Sequence, residues 1–201
     1  MLLDQSEYDL RCEWGMAGVR ALAPISDVLV IVDVLSFSTA VDIALANGAS
    51  VLPYHWRDDS AAAFAASKGA LLASHVSEGG YSLSPASLQS IAAGTALVLP
   101  SPNGSALSLS VGDTITFTAC IRNCGAVATG AREYGSHISA IPAGEKWSDG
   151  SLRPAIEDLI GAGALLASLP GRLSPEAEIA VAAFERFRRS LYDVLVRCSS
   201  G

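Results

Sequence analysis

The chain has 201 residues, half of them hydrophobic, and a formal net charge of −7. This length is enough to bury the core of one large domain. No apolar run is long enough for a membrane-spanning helix, no basic amphipathic segment suggests a membrane surface, and the acidic balance argues against nucleic acid as a partner. The N-terminal residues lack a basic stretch followed by an apolar block, so we expect no secretory signal and a cytoplasmic protein.

Short apolar runs alternate with helical segments along the chain, which is typical of an α/β protein with mainly parallel strands. Strands are predicted at residues 8–13, 28–34, 50–54, 71–74, 96–99, 114–119 and 137–141, the first of them as an edge strand. Helices are predicted at residues 39–46, 61–67, 85–92, 125–133, 154–169 and 175–196. We therefore expect a three-layer α/β fold, with a mainly parallel or mixed sheet and helices on both faces. Residues 1–201 are expected to form one domain, with two small subdomains as the alternative.

Two further patterns give expectations about the core and the thiols. The last predicted helix carries apolar residues from Ile179 to Val194 at a spacing that places them on one face, and we expect that face to pack on the core. Of the four cysteines, only Cys120 and Cys124 are close in sequence, without the second pair that a zinc site needs. We expect all four thiols to be reduced.

Four predicted strands run into polar loops that lead to a helix. These loops supply Asp33, Ser36, Ser38 and Thr39; Ser101, Asn103 and Gly104; Arg122 and Asn123; and Gly144, Glu145, Glu157 and Asp158. If the strands are parallel, their carboxyl ends share one edge of the sheet, where open α/β sheets bind ligands. The free N–H groups and positive dipole ends of helices at that edge suit phosphate or another anion. The carboxylates suit a hard cation such as Mg²⁺.

Each of these features also has a structural explanation, which stays open at this point. Ser38 or Thr39 would cap a helix, the Asn103–Gly104 pair would form a turn, and the acidic pair at 157–158 would stabilise the first turn of a helix. Asp33, which ends a strongly apolar run, is either a metal ligand or an acceptor for backbone N–H groups. The sequence contains no P-loop, no strand-linked GxGxxG and no GxSxG.

Five blocks of sequence, taken together and in order, carry a family resemblance. They are VIVDVLSFSTAVDIALANGA, GGYSLSP, LPSPNGSAL, IRNCGAVA and IPAGEKWSDGSLRPAIEDLIGAGAL, and they span most of the chain. This set resembles the 2-phosphosulfolactate phosphatase family. The resemblance implies an α/β, Mg²⁺-dependent phosphatase that converts 2-phospho-3-sulfolactate to 3-sulfolactate and phosphate, a step toward coenzyme M.

The resemblance points to nine site residues: Asp33, Ser84, Asn103, Gly104, Asn123, Gly144, Glu145, Glu157 and Asp158. The polar loops add Ser36, Ser38, Thr39, Ser101 and Arg122, and the two sources together suggest a role for each. The expected Mg²⁺ ligands are Asp33, Glu145, Glu157 and Asp158, and the expected catalytic groups are Asp33, Glu145, Glu157 and Arg122. The expected substrate-binding residues are Ser36, Ser38, Thr39, Ser84, Ser101, Asn103, Gly104, Asn123 and Gly144. Two alternatives stay open: Asp33 as a nucleophile, and Glu145 or Glu157 as either ligand or general base. Arg122 would offset charge on the phosphoryl group or on the acid.

Two departures from the family pattern bear on the substrate. The family often has an arginine where this chain has Ser36, and another upstream of SLSP, where HVSEGG has none. The loss of two cationic side chains predicts weak recognition of a substrate that carries phosphate, sulfonate and carboxylate. A different small phosphorylated acid is then expected as the partner. The alternative is a non-catalytic anion-binding or interaction domain, and a homodimer is left open.

Overall fold

The computed structural model of the chain describes residues 5–55, 58–74 and 80–199. Its strands are β1 (Leu10–Cys12), β2 (Val28–Val32), β3 (Ser50–Tyr54), β4 (Leu71–Leu72), β5 (Ala96–Pro100), β6 (Ile115–Ala119), β7 (Ile138–Pro142), β8 (Glu145–Lys146) and β9 (Leu152–Arg153). Its helices are α1 (Gly15–Leu22), α2 (Phe37–Ala46), α3 (Asp59–Lys68), α4 (Gly104–Ser108), α5 (Cys124–Ala131), α6 (Ile156–Leu166), α7 (Pro175–Phe187) and α8 (Leu191–Leu195).

In the part of the chain that the structure describes, the strands form two parallel sheets and a small hairpin. The larger sheet has four strands in the order β1, β7, β2, β6. The smaller sheet has three strands in the order β3, β5, β4, and β8 pairs with β9 in antiparallel fashion. The predicted α/β class with mainly parallel strands is confirmed, and β1 lies at an edge as expected.

Helices cover both faces of the larger sheet because its central strand is apolar on both sides. Val28, Val30 and Val32 of β2 belong to the core cluster that includes residues of α5, α6 and α7. Leu29 and Ile31 belong to a second cluster with residues of α1 and α4. A strand that is buried on both faces reads as a continuous apolar run, which explains the VLVIV segment. The expected three layers are therefore present.

A third core cluster joins α2 to the smaller sheet. Phe37 and Val41 of α2 pack with Leu97 and Leu99 of β5. The same helix also contacts β6 and α4, so that it lies between the two sheets. The loop that enters α2, which contains Asp33, is consequently positioned by both sheets.

The prediction of a helix at residues 85–92 is wrong. Only a single 3-10 turn forms there, at Pro85–Leu88. The Ser87 hydroxyl donates to the Ser84 carbonyl at 2.8 Å, and such local side-chain bonds compete with continued helix. The prediction also lacks α1, α4 and the β8–β9 hairpin, because an element of two to eight residues is too short to show a clear periodicity.

The last predicted helix is also corrected. It breaks at residues 188–190 into α7 and α8. Its apolar stripe is not wholly the buried side, since Ile179 is 64% exposed, whereas the small residues Ala177 and Ala180 are buried. Small residues face α6 because the two helices approach closely there, with Gly163 of α6 opposite Ala180.

The cysteines are unpaired, as the sequence predicted. All four cysteines lie among the described residues, and none of them forms a disulfide. Burial, with a smaller effect of the Glu13 charge, raises the pKa of Cys12 to about 12, which keeps this thiol protonated and unreactive. No described helix has the length and apolar character needed to cross a membrane.

Candidate active site

The carboxyl ends of β2, β6 and β7 lie at one edge of the larger sheet. Because β2 pairs in parallel with both neighbours, the loops that hold Asp33, Asn123 and Gly144 leave the sheet at the same edge. The β5–α4 loop of the smaller sheet joins them through Gly104, whose N–H donates to Asp33 Oδ2 at 3.0 Å. The four polar junctions predicted from the sequence are thus brought together.

Asp33 is a buried carboxylate whose two oxygens both accept backbone hydrogen bonds. Oδ1 accepts from the Phe37 N–H at 3.1 Å, and Oδ2 accepts from Gly104. Burial raises the pKa of Asp33 to about 6, although these two bonds oppose the rise; the negative charges of Glu157 and Glu145 add to it. The backbone acceptor that the sequence left as an alternative is therefore present, in a position where a cation would be favourable.

Asp158 lies next to Asp33, and its two carboxylate oxygens also accept backbone hydrogen bonds. Its Oδ1 accepts from the Val34 N–H at 2.7 Å, and its Oδ2 accepts from the Gly144 N–H at 2.9 Å. Burial, followed by the negative charge of Asp33, raises the pKa of Asp158 well above its usual value. The two aspartates together connect the β2–α2, β5–α4 and β7–β8 loops.

Position 144 requires glycine because the β8–β9 hairpin lies close to its backbone. Its φ of +68° lies in the left-handed region, and a Cβ there would lie 2.7 Å from Leu152 Cδ1 and 2.9 Å from the Arg153 carbonyl oxygen. A side chain would therefore push the β8–β9 hairpin away from Asp158.

Glu157 is covered by the C-terminal residues of the chain. It is 3% exposed, and it lines a cavity together with Val194 and Cys198. Burial, and then a hydrogen bond to the Glu157 carboxylate, raises the pKa of the Cys198 thiol to about 11. No motif in the last residues signals this contact, so sequence reasoning did not find it.

Glu145 lies on the β8–β9 hairpin and forms an ion pair with Arg153 on the opposite strand. The Arg153 guanidinium in turn lies 5.3 Å from the ring centre of Trp147. The Asp149–Gly150 pair is the signal that would have predicted the hairpin, and with it this pairing.

Ser38 and Thr39 lie in the first turn of α2, not at its N-cap, which is Ser36, and their hydroxyl groups are engaged within the protein. Ser38 is buried; its oxygen accepts from the Asp33 N–H at 3.0 Å and lies 2.5 Å from Thr118 Oγ1. Thr39 Oγ1 donates to the Val34 carbonyl at 2.7 Å. The two side chains hold the loop that presents Asp33, and a direct substrate contact by either stays a prediction.

The polar residues of the β5–α4 and β6–α5 loops also make internal contacts. Ser101 is buried, and its hydroxyl oxygen accepts from the Asn103 N–H at 3.3 Å. Asn123 Oδ1 accepts from the Cys120 N–H at 2.8 Å. These bonds match the turn explanation that the sequence left open, while the Asn103 side chain lines a cavity at the site.

The remaining predicted residues lie around this centre. Ser36 is half-buried at the start of α2, and Ser84 precedes the Pro85–Leu88 turn, which packs on α2. The Arg122 side chain is 61% exposed and pairs with Asp42 of α2 at 3.0 Å. The segment in which the second family arginine is missing, residues 75–79, lies outside the described residues.

The oxygen donors of the site fit a hard divalent cation in type. Among residues 5–55, 58–74 and 80–199, no three His, Cys, Asp or Glu side chains are gathered closely enough to hold a metal by themselves. Mg²⁺ does not need such a cage, because it usually binds one or two carboxylates and completes its shell with water and substrate phosphate. Asp33 and Asp158 could be these carboxylate ligands, because backbone N–H donors already orient both side chains.

The fold and the site are those of an α/β protein that binds its ligand at the carboxyl edge of a parallel sheet, where helix N-termini favour anions such as phosphate. The model of the 2-phosphosulpholactate phosphatase family matches residues 19–201. The chain is 32% identical over 180 residues to a 2-phosphosulfolactate phosphatase of Methanothermobacter thermautotrophicus, an alignment that covers 87% of this chain and 74% of that protein. The chain therefore belongs to the 2-phosphosulpholactate phosphatase family. The predicted family and the predicted enzyme class, a phosphoric monoester hydrolase, are confirmed.

Proposed function

We propose that the protein is a Mg²⁺-dependent phosphatase that hydrolyses a small phosphorylated acid, with 2-phospho-3-sulfolactate as the family's reference substrate. The observation that carries this proposal is the pair of buried carboxylates, Asp33 and Asp158, held by backbone N–H groups where β2 ends. Two neighbouring desolvated carboxylates are unfavourable without a cation. A non-catalytic anion-binding domain would gain nothing from such clustered negative charge.

Bound Mg²⁺ would supply charge neutralisation at the phosphoryl oxygens. Asp33 and Asp158 would hold the ion, and their N–H donors keep both carboxylates oriented without further rearrangement. The two hydrogen bonds also reduce the nucleophilicity of Asp33. We therefore assign Asp33 as a Mg²⁺ ligand and not as the nucleophile that would form a phosphorylated intermediate. Glu145 lines the cavity, and its ion pair with Arg153 holds its side chain in place. Glu145 would take the proton from the attacking water. Glu157, beneath the C-terminal residues, would contribute its charge.

We expect phosphate release from a panel of phosphorylated hydroxy acids in the presence of Mg²⁺, and its loss in EDTA. The physical reason is that the carboxylates alone would repel the anionic phosphoryl group. The measurement is inorganic phosphate released from 2-phosphoglycolate, 2-phospholactate and 2-phosphosulfolactate, followed by restoration with excess Mg²⁺. Turnover that is indifferent to EDTA, or no turnover across the panel, would contradict the proposal.

We also expect 2-phosphosulfolactate to be a weak substrate, because Ser36 stands where the family often has an arginine. Ser36→Arg is expected to lower its KM by about ten-fold, since hydrogen bonds to charged groups are among the stronger ones. Ser36→Met is the control, because it adds similar bulk without charge. A low KM in the unmodified protein, or an equal gain with methionine, would show that the arginine is not needed.

A further inference from the structure

A cavity of about 230 Å³ opens beside the candidate site, on the side of the sheet covered by α1 and α4. Its walls come from the start of α1, the β5–α4 loop with α4, and the β8–β9 hairpin. An apolar cavity of about 150 Å³ is large enough to take up benzene. This cavity can therefore accept a branched aliphatic or an aromatic group.

The cavity is lined by residues that adjoin the backbone partners of the two aspartates. Asn103, which lines it, directly precedes the Gly104 N–H that binds Asp33. Ala143, which also lines it, directly precedes the Gly144 N–H that binds Asp158. A ligand whose phosphate lies at the two carboxylates would thus extend its other end into this space.

The lining is mostly apolar. Trp14, Met16, Ala106, Leu107 and Leu152 contribute to it. Apolar walls favour the burial of an apolar group, by about a four-fold gain in affinity for each methylene buried.

The polar part of the lining is small and mixed in charge. It consists of Asn103, Glu145 and Lys146, and the Glu145 carboxylate is paired with Arg153. A sulfonate in this space would lose its hydration and meet one lysine together with a carboxylate, which is an unfavourable exchange. One amide and one ammonium are enough to orient a single carboxylate at the mouth.

We propose that this cavity holds an apolar substituent, so that the preferred substrate is a phosphorylated 2-hydroxy acid with an aliphatic or aromatic side group in place of a second acidic group. The inference rests on the proposed phosphatase function for the phosphate, and on the cavity alone for the substituent. It can therefore be tested by binding as well as by turnover.

The binding test uses the dephosphorylated acids and calorimetry with the full chain in Mg²⁺ and inorganic phosphate. Affinity is expected to rise at least about ten-fold from lactate to 2-hydroxy-4-methylpentanoate and 3-phenyllactate. The value for 3-sulfolactate is expected to fall below that for 3-phenyllactate. The kcat/KM values of the corresponding 2-phospho esters are expected to follow the same order.

Two variants connect this order to the cavity. Ala106→Phe fills the space, and it is expected to lower the ratio of phenyllactate to lactate affinity by about ten-fold. Ala126→Phe, on an exposed position of α5, should leave the ratio unchanged. Leu152 lies on the β8–β9 hairpin and is partly exposed. Leu152→Asn makes the cavity wall polar without filling the cavity, and it should also lower the ratio of phenyllactate to lactate affinity. This variant keeps the test possible if Ala106→Phe does not fold.

The outcomes separate the two proposals. If no ester is hydrolysed but the acids bind in the apolar order, the cavity assignment stands and the phosphatase proposal fails. If esters are hydrolysed but affinity does not rise with apolar size, or 3-sulfolactate binds most tightly, the cavity assignment is overturned. It is equally overturned if the folded Ala106→Phe and Leu152→Asn proteins keep the original ratio.

Discussion

Asp33→Asn is expected to lower turnover by at least about a hundred-fold, similar to the loss when one group that stabilises charge in the transition state is removed, and to weaken Mg²⁺ binding. The variant keeps the shape of the side chain but loses its charge. It also turns an NH₂ group toward one of the two backbone donors, Phe37 or Gly104, that the carboxylate accepts. Phosphate release and Mg²⁺ titration by calorimetry would measure both effects.

Asp27→Asn provides a matched control on the same strand. Asp27 precedes β2 and so lies at its opposite end, where Oδ2 accepts from the Ser136 and His137 N–H groups at 3.0 and 2.9 Å. Both variants remove a carboxylate that binds two backbone donors, yet only Asp33 lies at the candidate site. Asp27→Asn should keep full turnover. If Asp33→Asn also kept its turnover and Mg²⁺ affinity, Asp33 would be a structural acceptor only.

The same pair of variants is expected to show opposite effects of pH on stability. Burial raises the pKa of Asp33 from 3.8 to about 6. The protonated carboxyl therefore adds to the free energy of unfolding, and this addition is complete below the ordinary pKa of an aspartate. It is lost as the pH rises through about 6, and the loss is up to about 3 kcal/mol. The His137 N–H lowers the pKa of Asp27, so its contribution is present at neutral pH and is lost in acid. Denaturation in EDTA from about pH 2 to about pH 8 should show that Asp33→Asn removes the Asp33 contribution to the loss near pH 6 and that Asp27→Asn removes the loss below about pH 4.

Gly163→Ala is expected to lower the free energy of unfolding by about 3 kcal/mol or more, at the upper end of the cost of overpacking. A Cβ at this position of α6 would lie 1.9 Å from the Ala180 carbonyl oxygen of α7. The helices must then separate, since the contact is with backbone and not with a flexible side chain. Chemical denaturation would measure the loss. Gly125→Ala in α5, where a Cβ meets open space, should be neutral or slightly stabilising.

The Gly163 variant should also affect the site. The first turn of α6 carries Glu157 and Asp158, so a displaced helix moves the carboxylate that binds the Val34 and Gly144 N–H groups. Turnover at a temperature where the variant is still folded should therefore fall. A variant with unchanged stability and turnover would show that α6 and α7 can separate without cost.

Local patterns determined the class of the fold and the location of the candidate site. The VLVIV run predicted a strand at residues 28–34, and a continuous apolar run is typical of a strand that is buried on both faces, as this one is. The polar residues after four strands predicted a shared edge, since parallel strands place their carboxyl ends together. The ordered blocks of sequence predicted the family, which the family model and the relative confirm.

Tertiary structure alone decided how these parts meet. The division of the strands into two sheets depends on which strands lie side by side, a choice among runs of similar composition that periodicity does not make. The partners of the two aspartates show the same limit: Asp33 binds Gly104, 71 residues away, and Asp158 binds Val34, 124 residues away. The cover over Glu157 likewise comes from the C-terminal residues. Sequence periodicity reports the surroundings of a residue within its own element, whereas these contacts arise only when separate elements pack.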